Sequence, residues 1–160
     1  SFTTLIEQKG MHASARLLSF EEAEATGGVA RALSLTPGEP LYKMRRLRLA
    51  DEEPLILETI YVPKSVCGQL SEPQVVAAPL YIILETICGL HLTRAKQFLE
   101  PVVADDYEAQ VLKIETGAPV LLVQNTTYAA GNRPVVLSKA IIRGDRVRYY
   151  AELDAEITAH

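Results

Sequence analysis

Leu33-Ser34-Leu35-Thr36-Pro37-Gly38-Glu39-Pro40 and Leu112-Lys113-Ile114-Glu115-Thr116-Gly117-Ala118-Pro119 are one passage written twice, 79 positions apart. Each closes a short helical pattern, turns at a glycine and opens an alternating strand. Gly38 falls on Gly117, Pro40 on Pro119, Leu33 on Leu112 and Leu35 on Ile114. Beyond the next turn, Pro54 falls on Pro134, with one extra residue in the second loop. The likeness runs from His12 to Leu57 and again from His91 to Leu137. A solenoid needs three or more copies of a shorter unit. Two long copies predict a single domain of two similar halves, and a junction between halves is a natural place for a concave ligand site.

Around this passage the hydrophobic periods predict short elements. Thr3 to Lys9 reads as a helix, with Thr4-x-x-Glu7 as its capping box and Gly10 as its stop. Ala13 to Glu24 reads as extended, and Val29 to Leu35 as a helix after the Gly27-Gly28 break. Leu41–Leu49 and Leu55–Val62 make a hairpin around Asp51, Glu52, Glu53 and Pro54. Pro73 to Pro79 reads as a loop, and Leu80 to Cys88 as a helix stopped by Gly89. The second copy repeats the order: Leu92–Val103 extended, Asp105–Ile114 helical, then a hairpin of Val120–Ala129 and Pro134–Ile142 turned at Gly131-Asn132. Arg148 to Leu153 reads as a last strand. The outline predicts an α+β fold, an antiparallel sheet with short helices in two pseudo-repeated halves.

Composition narrows the function. The chain has 160 residues, 48% hydrophobic and 22% charged, as expected of one globular domain. Its formal net charge of −4 argues against a nucleic-acid-binding surface on this segment. The longest apolar stretch, from Val75 to Leu84, is far shorter than a membrane span and contains Pro79. Cys67 and Cys88 lie in no CxxC spacing and are expected as two reduced thiols. Nucleophile-elbow, phosphate-loop, zincin and dinucleotide-binding patterns are missing. His12 and His91 coincide in the repeat, which predicts a shared structural position, while His160 is terminal and expected to be mobile. No residue cluster has metal-ligand spacing, and no cofactor is expected.

One polar constellation stands out. Period two puts Met44, Arg46 and Arg48 on one face of the first hairpin, with Ile56, Glu58 and Ile60 sharing a face of its second strand. Pairing of Ala50 near Pro54 would bring Arg46 opposite Glu58. Two readings stay open. The guanidinium forks can hold a phosphate or carboxylate, in which case they wait hydrated in an open pocket. Alternatively, Arg46 and Glu58 form a cross-strand pair, with Arg48 at a solvated hairpin tip. Tyr81, after Pro79, reads as packing or as a site residue. In the second half Asn125, Thr127 and Ser138 stand where Arg46, Arg48 and Glu58 stand in the first.

These motifs resemble the UTRA domain, the effector-sensing half of GntR-type transcription regulators of the HutC subfamily. The resemblance rests on Ser1-Phe2-Thr3-Thr4, Gly38-Glu39-Pro40-Leu41-Tyr42 and Arg46-Leu47-Arg48-Leu49-Ala50-Asp51, followed by Pro54 and Glu58. It continues through Leu80-Tyr81 with Leu84-Glu85, then Thr127-Tyr128, Arg133-Pro134, Ser138 and Arg143-Gly144-Asp145. It covers essentially the whole chain, 1–160. It implies a chorismate-lyase-like fold, a homodimer and a cytoplasmic bacterial regulator that is no enzyme and touches no membrane. It also implies that operator DNA is met only through an N-terminal winged helix-turn-helix, which this chain lacks. A chorismate-lyase-like enzyme on the same fold is the alternative.

By the same resemblance Arg46 and Arg48 grip an effector's anionic group and Glu58 binds hydroxyls. Thr3 and Tyr81 help hold the anionic end, and Ser138 belongs to the facing wall. The implied effector is a phosphorylated sugar or small carboxylate. The family's usual serine before Leu-Tyr is Pro79 here, its usual glutamate is Val136, and two usual tyrosines are Leu137 and Ile142. Those departures predict a more apolar pocket.

Overall fold

The computed structural model describes residues 2–155. Ser1 and His160, both named above, lie outside the described residues. Eleven elements follow in order: α1 (Phe2–Gln8), β1 (Ala13–Glu24), α2 (Gly27–Ala32), β2 (Pro40–Ala50), β3 (Glu53–Pro63), α3 (Glu72–Ala77), α4 (Leu80–Thr86), β4 (Leu92–Val103), α5 (Asp106–Leu112), β5 (Pro119–Ala129) and β6 (Arg133–Arg143). The strands form one antiparallel sheet in the order β1-β2-β3-β6-β5-β4, as the α+β expectation requires. The two halves join along β3 and β6, and Thr59 pairs there with Lys139, its counterpart in the other half.

The repeat persists at the level of single contacts. Ala25, Ala30 and Leu41 form one small core, and their counterparts Ala104, Ala109 and Val120 form another. Gly38 N donates to Ala25 O at 2.8 Å, and Gly117 N donates to Ala104 O at 2.8 Å. Both glycines have positive φ, 95° and 83°, which a side chain would strain. His12 and His91 do share a structural role: their carbonyls accept from Asp51 N at 2.8 Å and Ala130 N at 2.9 Å. The likeness also reaches back to α1 and α4, which end at the paired glycines Gly10 and Gly89.

Turn chemistry sets the register of the first hairpin. Asp51 and Glu52, both at positive φ, make a two-residue turn in place of the four-residue loop read from sequence. Ala50 therefore pairs with Glu53, the residue next to Pro54. A bulge at Leu55 then restores the count, so that Arg46 still faces Glu58. The second hairpin has its bulge at the matching place, Val135.

Further expectations fail. The stretch Pro73–Pro79, expected as a loop, contains α3. Ser71 and Gln74 form a capping box and Pro73 sits in the first turn, where a missing N–H costs nothing. Arg148–Leu153 is not a strand, because no neighbouring strand offers it a ladder. Cys67 and Cys88 are not separate thiols. They are joined as a disulfide, their Cα atoms 5.2 Å apart, because the end of β3 and the end of α4 meet on one apolar cluster. No described helix is long and apolar enough to cross a membrane.

Candidate effector site

One face of the sheet carries α2 and α5. The other carries α1 and the α3–α4 pair, and between these lies a cavity of about 710 Å³. That volume falls within the range of small-molecule sites. Two apolar clusters bound it. Tyr42, Met44, Ile60 and Val62 pack with Val75, Ile83 and Leu84 on the α3–α4 side. Ile6 packs with Ala50, Ile56, Val123 and Ile142 on the α1 side. Where the strands run from one cluster to the other, their inward positions turn polar.

All six side chains singled out in the sequence line this cavity: Thr3, Arg46, Arg48, Glu58, Tyr81 and Ser138. Alternation along β2 and β3 puts both arginines and Glu58 on the same face. Glu58 Oε2 accepts from Arg46 Nε at 3.2 Å and from Arg46 Nη2 at 3.0 Å. Its other oxygen accepts from Arg48 Nη1 at 3.2 Å. Arg48 also donates through Nη2 to Thr3 Oγ1 at 3.4 Å, and its guanidinium lies 4.5 Å from the centre of the Phe2 ring. That stacking and the bond to Thr3 fix the fork of Arg48 against α1.

This geometry joins the two readings left open above. The Arg46–Glu58 cross-strand pair exists, so the arginines do not wait as separately hydrated groups. Arg48, however, is no solvated tip residue: its side chain is 22% exposed and shares the same carboxylate. Two guanidinium groups on one carboxylate leave a net positive charge beside the cavity. The glutamate holds both forks in place and leaves other N–H groups of each for a further acceptor.

The facing wall is milder. Thr127 and Ser138, counterparts of Arg48 and Glu58, line the cavity. Asn125, counterpart of Arg46, is not among the lining residues, although it pairs with Ser138 across the hairpin. Its buried Oδ1 has no hydrogen-bond partner. Of the substitutions expected to make the pocket apolar, Val136 and Pro79 line it. Leu137 is fully buried outside the lining, since alternation turns it to the opposite face, and Ile142 belongs to the cluster beneath α1. Pro79 holds the N-cap position of α4 with no side-chain cap. Sequence reasoning missed the apolar contributors Leu17, Val75 and Leu92, because they come from segments with no local polar signal. Among the described residues no His, Cys, Asp and Glu group could hold a metal ion.

A second polar cluster supports the site from outside. Arg143 is buried and donates to Asp145 at 2.8 and 3.1 Å, to Glu53 at 3.0 Å and to Pro54 O at 3.2 Å. It ties the end of β6 to the start of β3, the two central strands. The Arg143 guanidinium bonded to Asp145 holds that carboxyl below its usual range. Arg146, bonded to Glu53 at 2.9 Å, does the same there, helped by Arg143.

The fold is an α+β module of two similar halves with a ligand-sized cavity beneath the helices of one face. The chain belongs to the UTRA domain family, whose model matches residues 8–148. It is 32% identical over 154 residues to the HTH-type transcriptional repressor NagR of Bacillus subtilis, a match that covers 96% of this chain and 63% of that protein. It is 24% identical over 143 residues to the histidine utilization repressor of Pseudomonas putida, covering 89% of this chain and 56% of that protein. The chain thus spans less than two thirds of the length of these curated relatives. Among solved structures, the ligand-binding domain of a GntR-family regulator from Bordetella bronchiseptica aligns with a TM-score of 0.84 at 28% identity, covering 89% of this chain and 91% of that one. The effector domain of PhnF from Mycobacterium smegmatis shares the fold, with a TM-score of 0.88 at 24% identity, covering 97% of this chain and 95% of that one. These relatives are transcription regulators, a regulatory rather than a catalytic class.

Proposed function

We propose that this chain is the sensing domain of a GntR/HutC-type transcription regulator and that the cavity beneath α1 and α3–α4 binds a small anionic metabolite. One observation carries the reading: Arg46 and Arg48 converge on a single carboxylate at the wall of a ligand-sized cavity. The anion, a sugar phosphate or small carboxylate, docks on their remaining N–H groups. Thr3 and Tyr81 flank it, and Glu58 and Ser138 meet its hydroxyl groups. The regulator works in the cytoplasm, meets operator DNA through a separate winged helix-turn-helix, and acts as a homodimer. Ten of the twelve residues of β4 are exposed, Phe98, Leu99 and Val103 among them, and an edge this long calls for a partner. Effector binding changes DNA affinity only if it favours one dimer state over another.

The test is a thermal-shift screen of phosphorylated sugars and small carboxylates. A ligand at a hundred times its Kd that binds only the folded state adds about 2.7 kcal/mol. A domain of this size then melts several degrees higher. A broad library without an anionic hit would count against the reading.

A further inference from the structure

The disulfide encloses the cover of the cavity. Cys67 follows the turn that leaves β3, Cys88 follows α4, and the intervening 21-position span contains α3 and α4. From this span Val75, Val76, Pro79, Tyr81 and Leu84 line the cavity. Nothing else ties the cover down so firmly. Among the described residues, the hydrogen bonds of Leu70–Cys88 run within the segment or to Leu90, and none reaches a strand of the sheet. Apolar packing of Val75, Ile83 and Leu84 holds it from below. Near its start, Tyr42 Oη donates to Gly68 O at 2.8 Å. At the far end Cys88 is bonded to Cys67, Leu90 N donates to Leu84 O at 3.1 Å, Cys88 and Leu90 pack on the same apolar cluster, and Gly89 at φ 67° leads on into β4.

We infer that Cys67 and Cys88 form a reversible thiol–disulfide site that controls how firmly the effector cavity is covered. A dithiol reductant opens it, and exchange with an oxidised small-molecule disulfide closes it, that disulfide taking up the two electrons and two protons as it becomes two thiols. Cys88 is half-buried and Cys67 buried, so the reductant's thiolate attacks Sγ of Cys88. The S–S bond breaks, a mixed disulfide forms on Cys88, and Cys67 leaves as a thiolate that takes a proton from water. The reductant's second thiol then attacks the mixed disulfide. Cys88 is released as a thiol and the reductant departs as its own disulfide, two electrons having passed to the protein. Without the bond, the far end of the cover is held by apolar packing and its short link to β4, and α4 with Tyr81 lifts more often from the arginines. The consequence for effector affinity rests on the sensing function proposed above. In a cytoplasmic regulator a disulfide at this position is a signal, since structural disulfides are rare in that compartment.

Amide hydrogen exchange tests the tether without any effector. The oxidised chain, the chain treated with dithiothreitol and a Cys67→Ser, Cys88→Ser double variant are compared. Amides of 72–88 are expected to exchange about tenfold faster or more after reduction, while those of β2 and β3 stay unchanged. The double variant should match the reduced chain and ignore dithiothreitol. Equal exchange at 72–88 in oxidised and reduced chains overturns the proposal, as does a disulfide that survives excess dithiothreitol in the folded protein. If the double variant does not fold, the oxidised and reduced parent chains decide the matter alone. Inorganic phosphate, titrated by calorimetry, should bind the reduced chain at least about fivefold more weakly. Equal affinity in the two states overturns the coupling. Absence of phosphate binding in both counts against the anion site, and the exchange result still decides the tether.

Discussion

Glu58 stands directly opposite Arg46 in the first hairpin and takes two of its N–H groups, at 3.0 and 3.2 Å. The same carboxylate holds Arg48 at 3.2 Å. An anion that enters the cavity therefore meets two guanidinium groups already oriented by a third charge. This preorganisation lowers the ordering cost of binding, while the glutamate repels the newcomer.

Replacing either arginine with alanine should weaken binding of an anionic effector by about ten- to a hundredfold, the loss of one charge-assisted hydrogen bond. Each single variant should melt close to the parent without ligand, because Glu58 keeps the other guanidinium. The double variant leaves a mostly buried carboxylate unpaired and should lose about 1–3 kcal/mol. Melting curves for the four proteins therefore show coupling above about 0.5 kcal/mol. Strict additivity would mean that Glu58 does not bridge the pair.

Glu58→Gln separates the two jobs of that residue. The amide keeps an acceptor for the arginines and removes the negative charge. Inorganic phosphate should then bind about tenfold more tightly or better, since a nearby like charge is gone. Weaker phosphate binding, read by calorimetry, would place the anion away from Arg46 and Arg48.

Gly144 lies where the chain leaves β6 across the start of β5, its N–H donating to Pro119 O at 3.3 Å. A Cβ added there would come within 2.7 Å of that same oxygen. Gly144→Ala should cost about 1–3 kcal/mol, as overpacking does. Denaturant unfolding measures it, and a variant as stable as the parent would mean the turn can move freely away from Pro119.

Asp145 and Glu53 give the domain an acid-sensitive clasp. Both carboxyls titrate below their usual range in the folded state, held there by Arg143 and Arg146 respectively. A depressed folded-state pKa contributes stability above the unfolded-state value and loses it as pH falls through the folded-state one. The melting temperature should therefore drop below about pH 4. Asp145→Asn, measured against pH, should flatten part of that drop, and an unchanged profile would remove the clasp from the account.

Size measurement at micromolar concentration should return twice the 17.6 kDa chain mass if the exposed edge of β4 is covered by a second copy. A monomer throughout that range would limit dimer formation to the longer regulator.

Local periodicity determined much of this protein from sequence alone. Ala13–Glu24 and Leu92–Val103 are strands with the bounds their residues predict, because breaks such as Gly27-Gly28 and Gly89 lie in the neighbouring sequence. The arginines and Glu58 were legible because charges on an otherwise apolar face demand a purpose. What needed a distant partner was not legible. Arg148–Leu153 reads as a strand yet finds no neighbouring strand, and strand identity depends on a ladder that one segment cannot supply. The bulge at Leu55 was hidden because a two-residue turn plus a bulge gives the same Arg46–Glu58 pairing as a longer loop. Pro73 read as a breaker, although a proline in the first turn of a helix has no N–H to lose. Only the tertiary structure decided that β3 and β6 lie side by side, that Cys67 meets Cys88, and that Thr3 reaches Arg48 across 45 positions of chain. The first two come from packing the two halves together and the third from folding α1 back onto β2, and no spacing along the chain encodes any of them.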